Sequence, residues 1–186
     1  MAPKVKITKE DIIDAATEIV RENGAEAINA RELANVLKCS TQPVFSNFSN
    51  MSELRQEVIK NANATCNEYI KTEVEKGEYP PYKASGMAYI RFAKEEKELF
   101  KLLYMRNRSD DNMAEEMKLS GQMESIIKDT TGLDGEKMEL FHLEMWAFVH
   151  GIATMFATGF LDLPWELVSK MLTDSYKGLK KQYELE

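Results

Sequence analysis

Cysteine is nearly absent. Cys39 and Cys66 are the only two in 186 residues, and neither lies in a Cys-x-x-Cys or Cys/His cluster, which argues against a disulfide framework and a structural zinc site. Two reduced, partly buried thiols are what remains. Basic excess is missing as well. With 24 Lys and Arg against 31 Asp and Glu, the net charge is −7, whereas coating nucleic acid nonspecifically requires clustered cations on the phosphates. Any nucleic-acid binding must therefore be local and specific. No segment approaches the roughly 20 uninterrupted apolar residues of a membrane span. The opening MAPKVKITKEDIID is basic but has no apolar stretch of signal-peptide length, so a cytoplasmic protein with no membrane partner is expected. Strand signatures are also lacking, since Val-Ile-Thr alternation is not seen.

What is present is ordinary for a folded chain: 44% hydrophobic and 30% charged residues. The length suffices for one compact domain or for a small domain joined to a larger one. Apolar residues recur at three and four, which predicts an all-α fold. A first helix starts at Thr8, where Asp11 completes a capping box and Ile12, Ile13, Ala16, Ile19 and Val20 share one face; Asn23-Gly24 ends it. Asn29 caps a short helix with Leu33, Ala34 and Leu37 facing inward. Ser40 can cap a third, with Pro43 in its first turn and Val44, Phe45 and Phe48 on its apolar side. Asn50, with Glu53 three residues on, starts a long helix whose inner stripe is Leu54, Val58, Ala62, Cys66 and Tyr69. Pro80-Pro81 breaks it, and further helices are expected near 81–95, 97–106, 112–130, 136–160 and 164–184. About nine helices result.

The stretch Ala30–Phe48 has the proportions of a helix-turn-helix, with the turn at Lys38-Cys39-Ser40. Leu33, Leu37 and Val44 fill the wedge between its helices, and Ala34 is small where they cross. The second helix offers Thr41, Gln42, Ser46 and Asn47 as short polar groups, of which Gln and Asn can make bidentate contacts to adenine in the major groove. The run ARELANVLKCSTQPVFSNFSNMSEL, Ala30 to Leu54, closely resembles the TetR family, and with the first helix the resemblance covers residues 8 to about 60. It implies a three-helix DNA-binding domain at residues 1–50 and a ligand-binding and dimerisation domain at 51–186, with the helix from 51 to about 76 connecting them. The expected DNA-contacting positions are Arg31, Ser40, Thr41, Gln42, Pro43, Phe45, Ser46, Asn47, Asn50 and Ser52, with Lys6 from a basic N-terminal arm (Lys4, Lys6 and Lys9) that reads equally as a phosphate contact or as a solubilising terminus. Three residues depart from the family pattern. Lys38 stands where Gly is usual, which puts a side chain into a left-handed conformation at about 1 kcal/mol; Phe45 stands where Tyr often binds a phosphate; Met51 stands where Lys often does. Backbone N–H groups near Asn50 and Ser52 can still hold a phosphate. Residues 1–50 carry six Lys and Arg against seven Asp and Glu, so a dimer on a two-fold operator is needed for useful affinity.

In the later half, Met138, Phe141, Met145, Phe148, Ile152 and Phe156 recur at helical spacing, beside a flat strip of Ala147 and Gly151. Trp165, Val168, Leu172, Tyr176, Leu179 and Tyr183 repeat the pattern on the last helix. Two such faces from each subunit can form a four-helix bundle, so Phe148, Ile152, Phe156, Trp165, Val168, Leu172, Tyr176 and Leu179 are the expected dimer residues. TetR proteins dimerise through their last two long helices, and Trp146-x-x-x-His150-Gly151 is similar to the signature of one C-terminal subclass. Met87, Phe92, Phe100, Tyr104, Met105, Met117, Met123, Phe141, Met145 and Trp146 are the expected lining of a site for a small apolar ligand, since thioethers and aromatics repack around different shapes. A plain core explains any one of them equally well.

An enzyme is not expected. Glu139 and His142 have the spacing used in carboxylate-bridged metal bundles, but the second such pair is missing. His142 and His150 lie about 12 Å apart along one helix, too far to share a metal. No metal or cofactor is anticipated. The expectation is a ligand-responsive regulator, most simply a repressor that holds double-stranded operator DNA as a homodimer and is released by a small apolar effector. The alternatives are an activator, a protein partner in place of the ligand, or no effector.

Overall fold

The computed structural model describes residues 7–106 and 121–185, and among these every regular element is helical. They are α1 (Lys9–Asn23), a 3-10 turn (Ala25–Ala27), α2 (Ala30–Val36), α3 (Gln42–Asn47), α4 (Met51–Lys76), α5 (Pro81–Glu95), α6 (Lys97–Tyr104), α7 (Gly121–Thr131), α8 (Gly135–Thr158) and α9 (Trp165–Gln182). Of the residues singled out in the sequence, Lys6 and Met117 lie outside the described residues.

The helix ends follow from local chemistry. Thr8 accepts from Asp11 N while Asp11 Oδ2 accepts from Thr8 N at 2.8 Å, a reciprocal capping box. Gly24 closes α1 at φ 81, a conformation that side chains resist. Asn29 Oδ1 accepts from Arg31 N and Glu32 N at the start of α2. Asn50 Oδ1 accepts from Glu53 N at 2.9 Å, and Glu53 reaches back to Ser49 N at 2.7 Å. The third helix differs from expectation: its N-cap is Thr41, which makes no side-chain capping bond, so Ser40 does not serve. Gly159 ends α8 in the left-handed region.

The chain forms two compact units. One comprises the described residues up to Cys66 together with Glu96–Arg106; the other comprises Asn67–Glu95 and the described residues from 121 onward. The division falls inside α4, after Cys66. In the first unit Ile12, Ile19, Val20, Leu33, Val44, Leu54, Val58, Ala62, Leu99 and Phe100 are buried, Asn61 Nδ2 donates to Thr17 Oγ1 at 3.0 Å, and Arg21 Nε donates to Glu96 at 2.8 Å. In the second, α8 packs against α5, α7 and α9.

Candidate nucleic-acid interface and sensing core

In the first unit α2 and α3 form the helix-turn-helix. Leu33, Ala34 and Val44 are buried and Leu37 half-buried, filling the wedge as their spacing requires. Phe48, also buried, closes α3 from beyond its C-terminus, and Lys9 Nζ lies 5.0 Å above its ring. The turn carries Lys38 at φ 51, with Cys39 N donating to Ala34 O at 2.9 Å. A left-handed, non-glycine residue therefore makes the turn.

The polar groups of α3 are not equally available. Gln42 is exposed. Ser46 Oγ donates to the Gln42 carbonyl at 2.9 Å, and the half-buried Asn47 donates through Nδ2 to the Pro43 carbonyl at 2.8 Å. Asn47 is thus tied to its own helix. Phe45, read from the sequence as part of the apolar side, is instead 58% exposed; only Val44 and Phe48 of that trio are buried. Thr41 and Pro43 are half-buried, while Arg31, Ser40, Asn50 and Ser52 are exposed. At the start of α4 the Glu53 carboxylate already occupies Ser49 N, and that hydrogen bond holds its pKa below the usual glutamate value. A phosphate approaching there meets a fixed negative charge. One residue that the sequence did not single out is Arg55, whose Nη2 donates to the Ile28 carbonyl at 3.2 Å and ties α4 to the segment preceding α2.

In the second unit, Phe141 and Met145 pack with Tyr82, Ile127 and Met138, with Met123 and Tyr176 against them. The Phe141 ring stands edge-on to Tyr176 at 5.9 Å and to Tyr183 at 5.4 Å. Met87 and Phe92 are buried on α5. Of the remaining expected ligand residues, the described ones do not join this cluster. Phe100, Tyr104 and Met105 belong to the first unit, and Met105 and Trp146 are exposed.

Two tyrosine–histidine pairs link α5 to α8, with Tyr82 Oη 3.1 Å from His142 Nδ1 and Tyr89 Oη 2.9 Å from His150 Nδ1. Burial holds both imidazoles below the usual histidine pKa and pushes the Tyr82 hydroxyl up. Both imidazoles are therefore neutral near neutral pH. The sequence carried a signal for them: Tyr82 and Tyr89 are seven apart, His142 and His150 eight apart, so two parallel helices meet at both rungs two turns apart. Between the rungs Gly86 packs closely on the last helix, and a Cβ there would lie 3.1 Å from Leu172, so that side chain would have to shift by a few tenths of an ångström. Glu73, 2% exposed, continues the inner stripe of α4; Oε2 accepts from Lys76 at 2.9 Å and Oε1 lies 3.6 Å from Arg91, whose guanidinium stacks over Trp165.

The expected dimer residues differ in exposure. Val168 and Leu172 are 0% and 2% exposed, and Ile152 and Phe156 are buried with them; all four lie in the core of the second unit. Phe148, Trp165, Tyr176 and Leu179 are half-buried, Trp165 stacking on Phe156 at 5.7 Å and Tyr176 and Leu179 packing on the Phe141 cluster. Instead α8 turns outward Leu140 (52%) and Leu143 (42%), together with Trp146 and Ala147. Trp146 stacks on His150 at 4.7 Å. Length and composition alone would let α8 cross a membrane, but its other side carries the core.

A family model described as the tetracyclin repressor-like C-terminal domain matches residues 82–174. Among solved structures, a TetR-like transcriptional regulator from Rhodococcus sp. RHA1 superposes with a TM-score of 0.68 over 96% of this chain and 98% of that one, at 14% identity. No curated protein matches the sequence. The matched residues run from α5 into α9 and make up half of the chain, so the chain belongs to the TetR family and is a transcriptional regulator.

Proposed function

We propose that this regulator is a cytoplasmic repressor that binds a (pseudo)palindromic operator as a homodimer and leaves it when a small, largely apolar effector enters the second unit. The observation that carries the reading is the outward face of α3, where Gln42 and Phe45 project from a helix pinned underneath by Val44 and Phe48. Arg31 and Lys38 are exposed in the same unit and suit the phosphates. The basic Lys6 completes the proposed contacts from the N-terminal arm. The exposed apolar strip of α8 supports a dimer, because two copies would remove it from water. The effector would meet the Met and aromatic side chains around Phe141 and Met145. Its signal would travel along α4, a continuous helix that begins in the first unit and ends in the second. A shift of α4 would change the spacing of the two recognition helices against grooves about 34–36 Å apart.

Selection from a random duplex library tests the operator. A two-fold symmetric site is expected, and Gln42→Ala should erase the preference while the circular dichroism of the protein is unchanged. An identical footprint from the variant would show that another surface reads the DNA. Repeating the selection with apolar compounds tests release: retention of the operator with every one removes the effector from the reading.

A further inference from the structure

We infer that each operator half-site places the 5-methyl group of a thymine against Phe45, about one base-pair step from the base engaged by Gln42. This rests on the operator reading above and narrows it to two side chains. An aromatic ring exposed over more than half its surface is the least expected residue on a helix of otherwise polar outer positions. Phe45 is held there because Val44 and Phe48 on either side of it are buried, and the ring cannot turn inward without displacing them. Having no hydroxyl, it can donate no hydrogen bond to a phosphate or a base edge. What it offers is apolar surface, and the apolar group that base pairs present in the major groove is the thymine methyl.

The polar neighbours narrow the reading further. The Ser46 hydroxyl proton and one Asn47 amide N–H are directed to the Gln42 and Pro43 carbonyls, which leaves Gln42 and Phe45 as the exposed α3 side chains that the inference assigns to the bases. Three residues apart on a helix, they lie on one face and about 4.5 Å apart along the axis. That separation is close to the rise of about 3.4 Å between base pairs. Gln42 can pair with adenine N6 and N7, which makes the favoured half-site two neighbouring A·T pairs, one presenting the adenine edge and the next the methyl.

The test uses the operator recovered by selection, with each thymine replaced in turn by deoxyuridine, which deletes only the methyl. Dissociation constants are measured at one fixed salt concentration for the native protein, Phe45→Ala and Phe45→Leu. Loss of the methyl at one position should weaken the native protein about fourfold, and about sixteenfold when both half-sites are changed. Phe45→Ala should bind the unmodified operator correspondingly less tightly and be indifferent to deoxyuridine at that position, whereas Phe45→Leu should keep part of the sensitivity. Because Phe45 is exposed, both variants should keep the native thermal midpoint. If no thymine position matters to the native protein, or if Phe45→Ala responds to deoxyuridine as the native protein does, the methyl contact is wrong even though an operator exists. If the library yields no enriched sequence, the operator reading fails and takes this inference with it.

Discussion

Lys38 shows how much one residue's conformation can be anticipated, and Phe45 shows how much cannot. Lys38 stands where the turn of a helix-turn-helix in this family has Gly, and the backbone takes the left-handed conformation regardless, at φ 51. The strain is about 1 kcal/mol or slightly more, partly offset because glycine has more conformational freedom to lose on folding. Lys38→Gly is therefore expected to stabilise the protein by about 0.5 kcal/mol and to raise its thermal midpoint by about 1–2 °C. Lys38→Ala should not, since alanine carries the same Cβ; equal midpoints for the two would mean that the turn stores no strain. For Phe45 the sequence pointed both ways: the apolar pattern placed it on the inner side of the helix, while the family resemblance placed it among the DNA-contacting positions. Val44, Phe45 and Phe48 are all apolar, and α3 has only six residues, too few for periodicity to say which two of the three face inward.

At the scale of the elements, caps and breaks were legible because they depend on neighbours in the chain: Thr8 with Asp11, Asn29, Asn50 with Glu53, Gly24 and Pro81 lie where hydrogen bonding or φ requires them. The partner of each helix was not. The pairing of α5 with α8 through Tyr82–His142 and Tyr89–His150 makes a pH dependence. Both histidines have folded pKa values lowered by burial, so below about pH 6.5 the unfolded chain binds protons that the folded one resists. Stability from these pairs is complete above that value and is lost as the pH falls through it. The double variant His142→Asn, His150→Asn should consequently lose less of its thermal midpoint between about pH 7.5 and pH 5.5 than the native protein does. A steeper or equal loss in the variant would place the acid sensitivity elsewhere.

At the scale of the whole molecule the proposed dimer turns on which apolar surface the fold leaves exposed. Leu143→Glu with Trp146→Glu should give a folded monomer in sedimentation, because both side chains lie on the outer side of α8. Val168→Glu should instead unfold the second unit, since it places an unpaired charge in a closed core. A folded monomer from Val168→Glu, or an intact dimer from the pair on α8, would return the interface to the last helix. The all-α class, most of the helix caps and the family resemblance were determined by the sequence alone, because each depends on periodicity, on neighbours in the chain or on a contiguous motif. The outward side of α8, the exposure of Phe45 and the tyrosine–histidine rungs were decided only by tertiary structure. A helix apolar around most of its circumference, or one too short to have a face, has its direction set by the neighbours that pack on it.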